Sequence, residues 1–125
     1  MVNKQDNKYK GQRGEDIALL YLKKIGYQIL QRNYKRKTGE VDIIAQVEDT
    51  IIFTEVKYRQ SWDYGAPSQA VNYKKQKHII KTAMFYIQEF SAYEMNVRFD
   101  VLEIVEEIKG KPYINLIPNA FQIKY

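Results

Sequence analysis

The sequence predicts a single α/β domain with the element order αβββαββ. The chain has 125 residues, which is the length of one compact domain. Two segments repeat apolar residues at spacings of three and four, as amphipathic helices do. Five shorter segments are rich in β-branched and aromatic residues and are bounded by turns. The chain contains no linker or internal repeat, so we predict one domain over residues 1–125.

The first helix is predicted over 15–25, after a loop at 11–14, and ends at Gly26. Residues 1–10 are expected to form a flexible basic arm. The second helix follows a loop that contains Trp62 and Pro67, begins after an Asn72 cap and ends near Phe90. Its predicted apolar stripe is Tyr73, Gln76, Ile80, Ala83, Met84, Ile87 and Phe90. The five strands are predicted over 27–34, 40–47, 51–58, 97–105 and 113–116.

The composition excludes several kinds of chemistry. Cysteine is absent, which excludes thiol catalysis, iron–sulfur clusters and cysteine-ligated zinc. A single histidine, His78, cannot build a histidine-rich metal site. The apolar stretches are much shorter than a membrane span, and residues 1–15 lack the apolar core of a secretory signal. We therefore expect a cytoplasmic protein without a membrane partner.

The charge of the chain indicates a polyanionic partner. Lys and Arg number 20 against 15 Asp and Glu, which gives a net charge of +5 and a pI near 9.3. Ten of the basic residues lie in 1–37, beside only three acids. Such a basic excess attracts nucleic acid over long range. A merely solvated basic surface would give the same counts, and the pI alone does not separate the two interpretations.

The hairpin formed by the second and third strands carries the chemistry. A turn centred at 48–49 pairs residues whose numbers sum to 97, so Asp42 lies opposite Glu55 and Glu40 lies opposite Lys57. Strict alternation then places these four side chains on one face of the hairpin, and Val41 with Ile43 on the other.

Two opposed carboxylates are destabilising unless something compensates their charge. Carboxylate oxygens at this separation suit a hard cation such as Mg²⁺ or Mn²⁺, so Asp42 and Glu55 are the predicted metal ligands. Lys57 lies two residues after Glu55 on the same face, where an ammonium can orient a water and offset charge on a phosphate. The alternative is a surface salt-bridge cluster in which Lys57 pairs with Glu40.

Glu15 is the fourth candidate for the site. It falls on the apolar stripe of the first helix, three residues before Ala18 and seven before Leu22. Because charged residues are rarely buried without a partner, Glu15 could reach the metal if the helix packs over the site. The alternative is a carboxylate that is simply favoured by the positive end of the helix dipole.

Basic residues around this hairpin are the candidate contacts to a phosphate backbone. The turn at 35–37 is entirely basic, and three lysines of the second helix form a row at spacings of three and four. Such a row is usually only the solvated face of a helix, which is the alternative here. The predicted nucleic-acid contacts are Lys35, Arg36, Lys37, Arg59, Lys74, Lys77 and Lys81.

Several motifs along the chain resemble those of the YraN-like family of small bacterial proteins. They are Gly14-Glu15 with Ala18, GEVDIIA at 39–45, FTEVKYR at 53–59, YGAP at 64–67, Ala70-Val71 with Lys74 or Lys75, RFD at 98–100 and NAF at 119–121. The motifs span nearly the whole chain and occur in the family's order. That family is placed in the PD-(D/E)XK nuclease-like superfamily, with Holliday-junction resolvases and restriction endonucleases.

The resemblance implies a restriction-endonuclease-like three-layer fold, with a central mixed β-sheet flanked by helices, and a metal-dependent phosphodiesterase site. It implies that Asp42 is the superfamily's acidic residue on the second strand, that Glu55 and Lys57 are its (D/E)XK pair, and that Glu15 is its helix carboxylate. It also implies that the backbone carbonyl of Val56 ligates the metal.

The sequence therefore predicts an endonuclease that uses Mg²⁺ or Mn²⁺ and acts on DNA, including branched DNA in repair or recombination. The first alternative is a module of the same fold that binds nucleic acid without cleaving it. The second is a basic protein that binds RNA or the ribosome. Resolvases act as dimers because two strands must be cut symmetrically, so the resemblance also implies a homodimer.

Overall fold

The computed structural model of the chain describes residues 4–60, 71–106 and 110–123, with side chains from residue 11 onward. The predicted order αβββαββ is confirmed. The elements are α1 (Lys4–Lys24), β1 (Gln28–Arg36), β2 (Gly39–Val47), β3 (Thr50–Arg59), α2 (Tyr73–Glu89), β4 (Asn96–Val105) and β5 (Tyr113–Phe121). The predicted loop around Trp62 and Pro67, with the YGAP motif, lies outside the described residues.

The five strands form one mixed sheet in the spatial order β1-β2-β3-β4-β5. Strands β3 and β4 are parallel, and the other neighbours are antiparallel. The connection from β3 to β4 contains α2, as a parallel pair requires a crossover. The sheet therefore has the mixed topology of the predicted restriction-endonuclease-like class.

The two helices cover opposite faces of the sheet and bury separate cores. The α2 core is aromatic and includes Phe53 and Tyr86, whose rings meet edge-on with centroids 5.8 Å apart. The α1 core is aliphatic and joins Leu22 to Ile43 and Leu102. Together the two helices and the sheet make the three layers of the predicted fold class, which is confirmed. Within the described ranges, neither helix combines the length and apolarity needed to cross a membrane.

Helix α1 is longer than predicted, and the expected loop at 11–14 is wrong. The backbone is helical from Lys4, so residues 4–10 also belong to the helix rather than to a separate arm. Two glycines suggested a helix boundary because glycine disfavours helix interiors. Gly14 has a packing reason instead, since a Cβ there would lie 2.6 Å from Cβ of Tyr58. The glycine thus lets α1 approach β3 closely.

The buried face of α2 also differs from the predicted stripe. Among the predicted positions, Tyr73, Met84 and Phe90 are exposed. The buried residues are Ile79, Thr82, Ala83, Tyr86 and Ile87. The prediction counted apolar residues only and therefore left out Thr82. This residue can be buried because its hydroxyl donates a hydrogen bond to the His78 carbonyl oxygen. The predicted Asn72 cap is confirmed by its side chain, which accepts the Lys75 N–H at 2.9 Å.

Candidate metal centre and nucleic-acid cleft

The residues predicted to be catalytic line one cleft of about 410 Å³ between α1, the β2–β3 hairpin and the start of α2. We call it the acidic cleft. Its lining consists of Gly11, Glu15, Asp42, Glu55, Val56, Lys57, Tyr58 and Lys75. The fold therefore gathers the four predicted catalytic side chains, which come from three different elements, around a single space.

The predicted hairpin register is confirmed in its paired part. Strands β2 and β3 pair from Val47 with Thr50 to Ile43 with Thr54, and each pair of numbers sums to 97. At the next position toward the cleft, a carboxylate oxygen of Asp42, Oδ2, accepts the backbone N–H of Val56 at 2.8 Å. Asp42 is thereby fixed to the strand that carries the (D/E)XK motif.

The alternation of side chains breaks beside Asp42, which the sequence did not predict. Tyr34 and Val41 belong to the α2 core, whereas Ile43 belongs to the α1 core. Two residues before Tyr34, Arg32 donates to Asp16 of α1, although residues two apart on a regular strand share a face.

The same change of face occurs in both strands at this point. In β1, Asn33 between Arg32 and Tyr34 has a φ of 56°, a left-handed conformation that departs from a regular strand. In β2, the residues paired with Tyr34 and Arg32 are Val41 and Ile43, which belong to different cores, so the prediction that these two share a face is wrong. At this end of β2, Glu15 of α1 and Lys75 of α2 line the same cleft.

Three carboxylates come together around Asp42. One oxygen each of Glu15, Glu40 and Asp42 lies within 4.8 Å of the others, and we call these residues the acid cluster. Glu40 was not predicted as a ligand, because the sequence offered it only as a salt-bridge partner of Lys57. Its position two residues before Asp42 on the same strand was the available signal.

Glu55 lines the same cleft as the acid cluster but forms an ion pair with a lysine. Its carboxylate is only 6% exposed, and its Oε1 lies 2.6 Å from Nζ of Lys75 in α2. The sequence singled out Lys74, Lys77 and Lys81 and missed this lysine. The signal was its spacing of four from the buried Ile79, which places Lys75 toward the inner side of the helix.

Two carboxyl groups of the cleft, those of Asp42 and Glu15, have a raised pKa. Burial, together with the charge of Glu55, raises the pKa of Asp42 to about 8, and the charges of Glu15 and Glu40 act in the same direction. The hydrogen bond from Val56 opposes this rise. Burial also raises the pKa of Glu15, although the charge of Arg32 opposes the shift.

The two lysines of the cleft have opposite pKa shifts. Burial, and then the nearby charge of Lys75, lowers the pKa of Lys57. Burial also works to lower the pKa of Lys75, but its hydrogen bond and ion pair with Glu55 outweigh burial, and the net shift is upward. Lys57 therefore releases a proton more readily than an ordinary lysine, and Lys75 holds its proton.

One oxygen in the acid cluster is buried without a hydrogen bond from a described residue. Oε1 of Glu15 accepts no hydrogen bond from the residues that the structure describes. Its closest cation is Nη2 of Arg32, at 3.6 Å, and Arg32 donates to Asp16 instead, at 3.0 Å. This oxygen therefore has an ion-pair partner at 3.6 Å but no hydrogen bond from a described residue, and it can still accept one from a ligand.

The predicted nucleic-acid contacts divide between several surfaces. Lys35 lines a second cleft of about 360 Å³, which shares Glu15 and Gly11 with the acidic cleft. Arg36 stacks over the Tyr34 ring at 4.2 Å and forms an ion pair with Glu89. Lys37 is exposed on the adjoining turn. The basic turn thus adjoins the acid cluster through Lys35.

The remaining basic candidates lie on α2 and β3. Lys77 and Lys81 line a cleft of about 220 Å³ with C-terminal residues 122–123, separate from the lining of the acidic cleft. Lys74 is exposed beside Lys75, and Arg59 is half-buried two residues after Lys57. The role of all these basic residues in nucleic-acid binding stays a prediction.

Comparisons with known proteins identify relatives over most of the chain. A family model described as "Uncharacterised protein family UPF0102" matches residues 14–104. A UPF0102 protein of Clostridium acetobutylicum is 49% identical over 118 residues, which are 94% of this chain and 97% of the relative. One of Caldicellulosiruptor saccharolyticus is 46% identical over 112 residues, 89% of this chain and 95% of the relative. These matches confirm the resemblance to the YraN-like family.

Proposed function

Because the chain belongs to the uncharacterised protein family UPF0102, whose match includes every residue of the acid cluster, we propose that it is a nuclease that requires a divalent metal ion. The reaction is hydrolysis of phosphodiester bonds in DNA. The observation that supports this proposal best is the acid cluster itself, which opens on a cleft that also contains Glu55 and Lys57.

The donor atoms of the acidic cleft suit Mg²⁺ or Mn²⁺. Both ions prefer oxygen ligands, and the acid cluster offers three carboxylates within reach of one ion. Glu15 Oε1 has no hydrogen-bond partner among the described residues. The pKa of Asp42 is raised by burial first and then by the charge of Glu55, and a bound cation would favour the charged carboxylate against both effects. Asp42, Glu15 and Glu40 would hold the ion from one side. Glu55 and the backbone carbonyl of Val56 would bind it from β3.

The ion, when bound, would supply Lewis-acid polarisation of the phosphate and acidify a water. The protein's own groups supply the rest. The Val56 N–H orients Asp42, and Lys57 places a positive charge beside the phosphate on which negative charge develops. Because the pKa of Lys57 is lowered, its Nζ can also release and take up the proton of an attacking water.

Basic residues around the cleft would bind the phosphate backbone without reading sequence. Lys35 lines a cleft together with Glu15 and Glu40 of the acid cluster, and Arg36, Lys37, Arg59 and Lys74 would extend the surface. Lys77 and Lys81 add a separate basic edge on α2. We include branched DNA among the substrates, with repair or recombination in the cytoplasm as the setting and a homodimer as the active form, because the motifs resemble those of junction resolvases.

Cleavage of supercoiled plasmid and of a four-way DNA junction, with Mg²⁺, Mn²⁺ or EDTA, tests the proposal. The substitutions are Asp42→Asn and Lys57→Met, and the control is Asp49→Asn, which changes an exposed aspartate in the β2–β3 turn. We expect cleavage with either metal, none with EDTA, and at least ~100-fold slower cleavage in both site variants. The control should match the wild type.

Three results would contradict the proposal. Cleavage that survives both site substitutions would place any nuclease activity outside the acidic cleft. Binding of DNA that weakens with salt, without any product in either metal, would instead assign the chain to the non-cleaving module. Preference for RNA, unaffected by Asp42→Asn, would favour the RNA-binding alternative.

A further inference from the structure

Lys75 forms an ion pair with Glu55 in the acidic cleft, and the proposed reaction does not use this ion pair. Its Nζ lies 2.6 Å from Oε1 of a carboxylate that is only 6% exposed. A buried carboxylate requires a countercharge, and this lysine provides it. The backbone of Lys75 is fixed as well, because its N–H donates to the Asn72 cap at the start of α2.

The contact places two cations in competition for one ligand. Glu55 is the acidic member of the (D/E)XK motif, and the ammonium 2.6 Å from its Oε1 takes one acceptor position and would repel a divalent ion bound to the same carboxylate. Lys57 stands close enough that the charge of Lys75 lowers its pKa. A divalent ion would therefore add charge to a site in which Lys75 already neutralises Glu55.

We propose that Lys75 is a positioning residue that takes the place of the metal at Glu55, and that a divalent ion displaces it. In the metal-free protein Lys75 keeps the buried Glu55 neutralised. When the ion binds, the ammonium leaves Glu55 and turns into the cleft, where it meets the phosphate of the substrate. This inference rests on the proposed metal site and adds a coupling between that site and the substrate-binding charge.

The coupling predicts that removal of Lys75 strengthens metal binding. Two ligands that compete for one site weaken each other's binding by the same factor. Titration calorimetry of Mn²⁺ into Lys75→Met should therefore show an affinity about tenfold higher than that of the wild type. Lys74→Met is the matched control, because it removes an equal charge from the neighbouring exposed residue, and its affinity should change less than about twofold.

Two further variants connect the effect to Glu55. Lys75→Arg keeps the positive charge and should keep the affinity of the wild type. In a Glu55→Gln background, Lys75→Met should no longer raise the Mn²⁺ affinity, because the carboxylate for which the cations compete is gone. The melting temperature of each variant shows that the protein is folded.

A direct measurement follows the ammonium itself. In NMR spectra of the Lys Cε–Hε groups, titration with Mg²⁺ should shift the Lys75 signal toward the position of a lysine without an ion pair and leave that of Lys74 unchanged. The Lys75 signal is identified by its absence from the Lys75→Arg variant.

The outcomes separate this inference from the proposed function. If the wild type binds no Mn²⁺, the metal site fails and the displacement fails with it. If the wild type binds Mn²⁺ and Lys75→Met has the same affinity as Lys74→Met, or a weaker one, the displacement is wrong while the metal site stands. A Lys75 signal that does not shift on addition of Mg²⁺ also contradicts the displacement of Lys75.

Discussion

Asp42 and Asp100 lie on the two strands that flank β3, but their carboxylates have very different surroundings. Asp100, on β4, is fully buried, and both of its carboxylate oxygens accept hydrogen bonds from the guanidinium of Arg98 at 2.9 Å. The backbone N–H of Asn119 in β5 donates a third bond, also at 2.9 Å. Asp100 thus has a complete set of partners within the protein.

Asp42 has one backbone donor and is surrounded by acids. Val56 donates to it, and burial raises its pKa, with the charges of Glu55, Glu15 and Glu40 acting in the same direction. This difference distinguishes a carboxylate with a structural role from one with a functional role. A carboxylate that the fold neutralises stabilises the fold, whereas a carboxylate held among like charges costs stability until a ligand supplies the missing cation.

The largest expected effect is the loss of stability when Asp100 is changed. Asp100→Asn leaves the Arg98 guanidinium, whose side chain is 30% exposed, without its countercharge, and removing the fully buried member of such an ion pair costs about 3 kcal/mol. The Asn119 bond, which joins β5 to β4 at a register shift, is weakened as well. Urea unfolding of the variant beside the wild type measures the free energy.

Asp49→Asn is the control for this measurement, since it makes the same chemical change at an exposed position and should alter stability by less than about 0.5 kcal/mol. If Asp100→Asn unfolds at the same urea concentration as this control, the charge of Asp100 does not stabilise the fold.

The second effect has the opposite sign. Asp42→Asn should stabilise the metal-free protein at pH 8 by about 1–2 kcal/mol, because it removes one of the crowded charges. The folded pKa of Asp42 is about 8 and its ordinary value is 3.8. Between these values the folded protein binds a proton that the unfolded chain does not, so wild-type stability falls as pH rises from about 4 to about 8.

The variant lacks this titration, so its advantage over the wild type should be small near pH 4 and largest near pH 8. Melting temperatures of both proteins from pH 4 to pH 9, in EDTA, measure the difference. Added Mn²⁺ should raise the melting temperature of the wild type but not that of Asp42→Asn. A variant that is less stable than the wild type at pH 8 would contradict the description of Asp42 as a charge without a partner.

Much of this structure is local in origin, and the sequence predicts that part correctly. Alternating apolar residues and a turn at 48–49 define the hairpin register, so the sum of 97 holds for every recorded β2–β3 pair. Asn72 is an N-cap by its side-chain chemistry alone. The gathering of Glu15, Asp42, Glu55 and Lys57 in one cleft follows from that register and from the apolar stripe of α1.

The parts that the sequence missed depend on contacts between distant segments. Val41 packs with its partner Tyr34 in the α2 core, beside a left-handed Asn33 in β1, and no periodicity marks a left-handed residue inside a strand. The two glycines near the start of α1 look like a boundary until Tyr58 is known to pack against Gly14. Lys75 differs from Lys74 only by facing Glu55, which requires the phase of α2 on the sheet.

The smallest expected effect concerns a third carboxylate, at the surface. Glu106 accepts hydrogen bonds from Arg13 Nε at 3.0 Å and from the Tyr58 hydroxyl at 2.7 Å, and the first of these contributes most to lowering its pKa. Arg13 is 45% exposed, so water screens the pair, and Arg13→Met should cost only about 0.5 kcal/mol. Urea unfolding in 50 mM and in 1 M NaCl should show that this cost shrinks at high salt.

The same salt series separates the three carboxylates by their surroundings. The Asp100→Asn cost should depend less on salt than the Arg13→Met cost, because the carboxylate of Asp100 is fully buried and Arg98 is less exposed than Arg13. A salt-independent cost for Arg13→Met, equal in size to that of Asp100→Asn, would mean that the Arg13–Glu106 contact anchors α1 to the sheet as firmly as Arg98–Asp100 anchors β4 to β5. Burial would then be a poor guide to which charges the fold itself depends on.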